Sequence, residues 1–112
     1  MKRKYLNLAM YRAMDCLYDE QEDPSEELLQ FLSDSNPYLY RERTAVDPAI
    51  QASFDRSMNY QNIAQEVDIS SAYSAVKIFL AEQNLNFAKM FEDISLEEWE
   101  NLCRIIENEE NQ

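Results

Sequence analysis

The sequence predicts an all-α fold: a compact single domain of five or six short helices, orthogonal or bundle-like in packing. Three observations carry that prediction. Glycine is absent from all 112 residues, which removes the residue on which tight β-hairpins depend. Helix-start signatures recur at Asp23-Pro24-Ser25-Glu26, at Asp47-Pro48, at Asp68 or Ser70, and at Ser95-Leu96-Glu97-Glu98. Between these signatures the apolar residues fall at three- and four-residue spacing, the period of an amphipathic helix. With 46% hydrophobic residues the chain has enough material for a core, so its net charge of −12 does not imply disorder.

Each element follows from its own residues. From Tyr5 to Tyr18, 11 of 14 residues are apolar or aromatic. Leu6, Ala9, Met10, Ala13 and Leu17 form a helical stripe that Tyr11, Met14 and Tyr18 widen. Arg12, Asp15 and Asp19 are left as a narrow wet edge. Such a helix is expected to be central, or to bury one face against a second subunit in a homo-oligomer. Asp23, with Pro24 in the first turn and Glu26 reaching back, is expected to cap a second helix carrying Leu28, Leu29, Phe31 and Leu32. That helix ends before Asn36-Pro37, because proline pushes the preceding residue out of helical conformation. Asp47-Pro48 opens a third helix with Ile50, Phe54 and Met58. Asp68 or Ser70 caps a fourth with Ala72, Tyr73, Val76, Phe79 and Leu80, which either continues or breaks near Asn84 into Phe87, Ala88 and Phe91.

The last helix is the best signed. Ser95 and Glu98 make a capping box, Ile94 and Trp99 occupy the staple positions, and Trp99, Leu102, Cys103 and Ile106 form the core face. The domain is thus expected to span 1–107, with 108–112 a frayed acidic tail. Lacking glycine, the chain is expected to place Asn36, Asn59, Asn84 and Asn86 at left-handed helix-end positions. Cys16 and Cys103, far apart and without a CxxC, read as reduced thiols used as small core residues. The basic start of "MKRKYLNLAMYRAMDC" resembles an export signal only until Arg12 and Asp15 interrupt it, so the expected location is cytoplasmic.

Composition also narrows the chemistry. There is no histidine, hence no histidine-based nucleophile pair or metal site, and no glycine, hence no phosphate-cradling loop or EF-hand. No cofactor and no enzymatic activity are expected. The excess of 22 acids over 10 lysines and arginines repels nucleic-acid phosphates and anionic membranes and favours a basic protein partner. Acids cluster at Glu20, Glu22, Glu26 and Glu27, where helix N-termini also favour them. The other candidate contact is "YLYRER", between Pro37 and Pro48. Its Tyr38, Tyr40, Arg41 and Arg43 are residue types enriched at interface hot spots, and the alternation suggests a short extended piece. Equally, Arg41 and Arg43 could tie the loop to the acidic helix starts while the tyrosines cover the core.

The functional expectation is a small acidic interaction module, of an immunity or inhibitor type, that binds a basic partner. Two other readings stay open: a nucleic-acid mimic that blocks a DNA- or RNA-binding protein, and a carboxylate-only enzyme or metal-binding protein.

Overall fold

In the computed structural model, which describes residues 1–111, six α-helices follow one another. They are α1 (Leu6–Glu20), α2 (Glu26–Ser35), α3 (Pro48–Tyr60), α4 (Ile69–Gln83), α5 (Leu85–Phe91) and α6 (Leu96–Glu110). A 3-10 turn at Arg3–Tyr5 leads into α1. The all-α expectation is met, and the fourth apolar segment does break at Asn84.

α1 is the central helix. It packs against α2, α4, α5 and α6, and buries Leu6, Leu8, Ala9, Met10, Ala13, Met14 and Leu17. Its apolar surface is therefore covered by its own chain, and the reason for expecting self-association through this helix falls away. Two aromatic groups meet beneath it. Phe31 lies against Phe79 and Phe87, while Tyr73, Phe91 and Trp99 stack with ring centroids 5.0 to 6.0 Å apart. The Trp99 indole N–H donates to the Ile69 carbonyl at 3.0 Å, and the Tyr73 hydroxyl donates to the Ile94 carbonyl. The single polar tip of each ring thus finds a partner while its body fills the core.

The caps show where local chemistry decides. At α6 both halves of the capping box form: the Glu98 N–H donates to Ser95 Oγ at 3.1 Å and the Ser95 N–H to Glu98 Oε1 at 3.0 Å. Asp47 caps α3 through the Ala49 N–H, with Pro48 in the first turn. α2 differs from expectation. Its cap is Ser25, accepting from the Leu28 N–H, and Pro24 stays in the extended linker, which its fixed φ also suits. Asn84 closes α4 and caps α5 in extended conformation, φ −166°, so it is not left-handed; nor is Asn36, at φ −49°. The left-handed positions are Asn62 (φ 59°) and Arg43 (φ 61°). Asn62 serves a glycine's purpose at the end of α3. The Ile63 N–H reaches the Met58 carbonyl and the Asn62 N–H the Asn59 carbonyl, a Schellman closure in which the half-buried Ile63 packs against the core that holds Met58.

Asp68 caps α4 and carries a testable consequence. Its carboxylate accepts from the Ser71 N–H, the Ser71 hydroxyl and the Ser70 hydroxyl, which hold its pKa down at about 2 from an ordinary 3.8. A depressed carboxylate stabilises the fold fully above the unfolded value and loses that contribution as pH falls through the folded one. Asp68→Asn keeps an acceptor for Ser71 but cannot titrate. Urea midpoints of the two proteins should therefore diverge at pH 5 and converge as pH approaches 2. A difference that stays constant across that range would contradict the cap's role.

The N-terminus is tied down by contacts the sequence did not announce. Lys2 and Glu66 form an isolated antiparallel bridge, and the Met1 carbonyl accepts from the Val67 N–H at 2.9 Å. Arg3 donates to the Ile63 carbonyl and to Asn59 Oδ1. At the other terminus α6 continues to Glu110 rather than ending at Glu107, so 108–110 is helix and not a frayed tail; Gln112 lies outside the described residues. The cause is tertiary: Arg12 holds Glu109 and Arg43 holds Glu110. Of the cysteines, Cys103 is buried as expected, and burial pushes its thiol up to about 12, but Cys16 is exposed.

Candidate functional site

The sequence-derived residues separate into two places. Tyr38, Tyr40, Arg41 and Arg43 sit in the loop between α2 and α3, which returns beside the start of α1: Asn7 of that helix donates to the Ser35 and Arg43 carbonyls. Glu20, Glu22, Glu26 and Glu27 lie at the turn where α1 ends and α2 begins. At 1.5 Å per residue the two groups are roughly 20 Å apart along α1. They form two surfaces.

The 36–47 loop is closed at its neck. The Val46 N–H donates to the Asn36 carbonyl at 3.1 Å, and the Asp47 N–H to the Asp34 carbonyl at 2.9 Å. Asn36 Oδ1 accepts from the Tyr38 N–H, and the loop bends and turns at 38–42 instead of forming the extended piece that the alternation suggested. This is an Ω-loop, a class in which a compact surface excursion is held by its own side chains. Its residues divide between the two roles. Arg43 and Tyr38 form the clamp. The Arg43 Nε–H donates to Glu110 Oε1 at 2.6 Å, its guanidinium lies 5.5 Å from the Tyr38 ring centroid, and Tyr38 meets Tyr11 edge-on. The hydrogen bond to Glu110 raises the already high pKa of Arg43, and burial raises that of the Tyr38 hydroxyl. The clamp's partner is the end of α6, not an acidic helix start. Tyr38 still leaves 49% of its surface exposed, as Tyr40 does 47%, and Leu39 and Arg41 are exposed as well.

Arg43 in the left-handed region costs about 1–2 kcal/mol relative to glycine, and the ion pair, the ring contact and the Tyr40–Arg43 turn bond offset it. Comparing two variants separates these effects. Arg43→Ala loses the clamp and keeps the backbone cost, whereas Arg43→Gly loses the clamp and relieves that cost. By thermal unfolding the glycine variant should be the more stable by about 1 kcal/mol. An alanine variant as stable as the glycine one would show that this backbone is not strained.

The acidic turn is built differently. Glu20, Glu22, Asp23, Glu26 and Glu27 are all exposed, and none takes part in the five ion pairs among the described residues. Asp23 and Glu27 border a hollow of about 300 Å³, whose walls include Leu28, Phe87, Met90, Asn84 and Asn86. Leu29 and Leu85, 49% and 69% exposed, stand on the same two helices. Carboxylates at its edge and apolar side chains in its walls suit a cationic group on an apolar stem.

Sequence reasoning overlooked several polar residues. Asn7 is 2% exposed inside the most apolar helix, and its signal was being the one amide in "YLNLAM". Ser57, also buried, donates to Glu82 and receives the Gln61 amide beside a hollow of about 360 Å³ that Arg56 and Tyr60 also line. Nothing in the local sequence links Ser57 to Glu82. Among the described residues no group of three histidine, cysteine, aspartate or glutamate side chains is placed to hold a metal ion, and no helix is long and apolar enough to cross a membrane.

Fold and surfaces together define a six-helix domain with an unpaired acidic end and a stitched Ω-loop at the other. No protein-family model matches the chain, nor does any curated protein or solved structure.

Proposed function

We propose that the chain is a non-enzymatic protein–protein interaction module whose acidic end receives a basic partner, in an immunity- or inhibitor-type role. The observation that carries this reading is the set of five carboxylates at 20–27 with no internal cation. Most acids of the chain lie outside its ion pairs, which take up Glu66, Glu92, Glu100, Glu109 and Glu110; what sets 20–27 apart is density, five acids in eight residues with no lysine or arginine between Arg12 and Arg41. Charges left unpaired cost little in water but create a field that concentrates an oppositely charged surface. The adjoining hollow, mostly polar with Leu28, Phe87 and Met90 in its walls, offers a recess for a partner side chain that steering alone lacks.

Affinity capture from the native cell tests the proposal when run with the wild type and with a variant in which Glu20, Glu22, Glu26 and Glu27 are all glutamine. Basic proteins retained by the wild type and lost by the variant are the expected result. A captured set that is the same for both would remove the acidic end from the account.

A further inference from the structure

Two serines of the described residues are buried, both on helices, and they use their hydroxyls differently. Ser35 donates to the Phe31 carbonyl at 2.7 Å, four residues back on its own helix, the local bond open to any helical serine. Ser57 instead sends its proton across to Glu82 on α4. Gln61 fixes that choice. Its amide donates to Ser57 Oγ at 3.0 Å and to the Ala75 carbonyl at 3.2 Å, so the hydroxyl is left with its proton for the carboxylate.

The relay sets where Glu82 stands. With Ser57, Ser53, Arg56, Tyr60 and Gln83 it lines a hollow of about 360 Å³, at the lower end of the roughly 300–1,000 Å³ of small-ligand pockets. Arg56 and Glu82 thus border one space, yet neither belongs to the five ion pairs among the described residues. A glutamate on an open helix surface is free to swing toward an arginine beside it. Here the buried Ser57 hydroxyl keeps the carboxylate back, and two opposite charges stay apart across a concavity. Tyr60, one turn beyond Arg56 on α3, stands 86% exposed at the rim.

We infer that this hollow binds a free α-amino acid, with Glu82 receiving the ammonium, Arg56 the carboxylate, and Tyr60 flanking the side chain. A fixed carboxylate and an unpaired guanidinium facing one space match a small ligand that carries both charges. A net anion would meet the field of a chain at −12, and a simple amine would leave Arg56 unmatched beside it. A zwitterion avoids both. Ser57 acts through Glu82 as a positioning residue, and Gln61 acts through Ser57. The inference uses α3 and α4 alone and does not depend on the acidic end at 20–27.

The test is a titration of the ¹⁵N-labelled full chain with L-phenylalanine and, separately, with phenethylamine and hydrocinnamate, which each lack one of its charges. Saturable shifts among the amides of 53–61 and 78–83 are expected with phenylalanine. Either isostere should bind more weakly by about tenfold or more, the scale of one charge-assisted hydrogen bond. Glu82→Gln and Arg56→Gln should each weaken phenylalanine binding by a similar factor, while Lys89→Gln, a cation elsewhere, leaves it unchanged. Ser57→Ala keeps both charges but frees Glu82, and should erase the preference for the zwitterion. No saturation with phenylalanine, an isostere that binds as tightly, or undiminished affinity in the Arg56/Glu82 double variant would overturn the inference.

Discussion

Replacing Trp99 by alanine is expected to remove about 3–5 kcal/mol of folding stability, the range for deleting a fully buried large aromatic. Trp99 has no exposed surface, and it meets both Tyr73 and Phe91 edge-on. It also joins the start of α4 to α6 through its hydrogen bond to Ile69. Since domains of this size are stable by roughly 5–15 kcal/mol in total, the variant should stand near the edge of folding. Trp99→Phe, which keeps a ring but loses the indole N–H that donates to the Ile69 carbonyl, should fall between the two. Trp99 is the only tryptophan, so unfolding in urea has to be followed by far-ultraviolet circular dichroism. A loss below about 1 kcal/mol in the alanine variant would mean that the α4–α5–α6 junction is not packed as described.

Reversing Glu20, Glu22, Glu26 and Glu27 to lysine is expected to slow association with a basic partner by about 10- to 1,000-fold at low ionic strength, the span over which electrostatic steering acts. Each reversal adds two positive charges, so the four together move the net charge from −12 to −4. All four side chains are exposed and outside the observed ion pairs, so the variant should stay folded. Its stability cost should be confined to Glu26 and Glu27, in the first turn of α2, where a lysine opposes the helix dipole by about 0.3–1 kcal/mol each. A large change in rate beside a small change in stability separates a binding surface from a structural one.

What could be read from the sequence was what a few neighbouring residues decide. The capping box at Ser95 and Glu98, the Asp47-Pro48 start and the helical stripe of α1 are complete within one or two turns of chain. Ser25 replaced Asp23 as a cap because two good capping residues flank Pro24, and only the linker's path chooses between them. The left-handed backbone went to Arg43 because contacts 36 and 67 residues away, to Asn7 and Glu110, hold it there. No local propensity would select arginine for that conformation. The same long-range pairs kept α6 helical past Glu107. The candidate sites were legible as residue types but not as places: of the loop's tyrosines and arginines only Arg43 is half-buried, held by Glu110 and the Tyr38 ring, while Tyr38, Tyr40 and Arg41 are exposed. The N-terminal basic run, legible only as an interrupted export signal, anchors the start of the chain, with Lys2 bridged to Glu66 and Arg3 donating to the Ile63 carbonyl and Asn59.

The central claim is that the unpaired carboxylates at 20–27 are there to meet a cationic surface. The most direct measurement is the association rate with a captured basic partner, taken from about 10 mM to 0.5 M salt, where the Debye length shortens from about 30 Å to under 5 Å. For the wild type the rate should fall steeply with salt, and for the four-lysine variant it should be slow and nearly flat, the two converging at high salt. Equal rates for both proteins at low salt would contradict the claim.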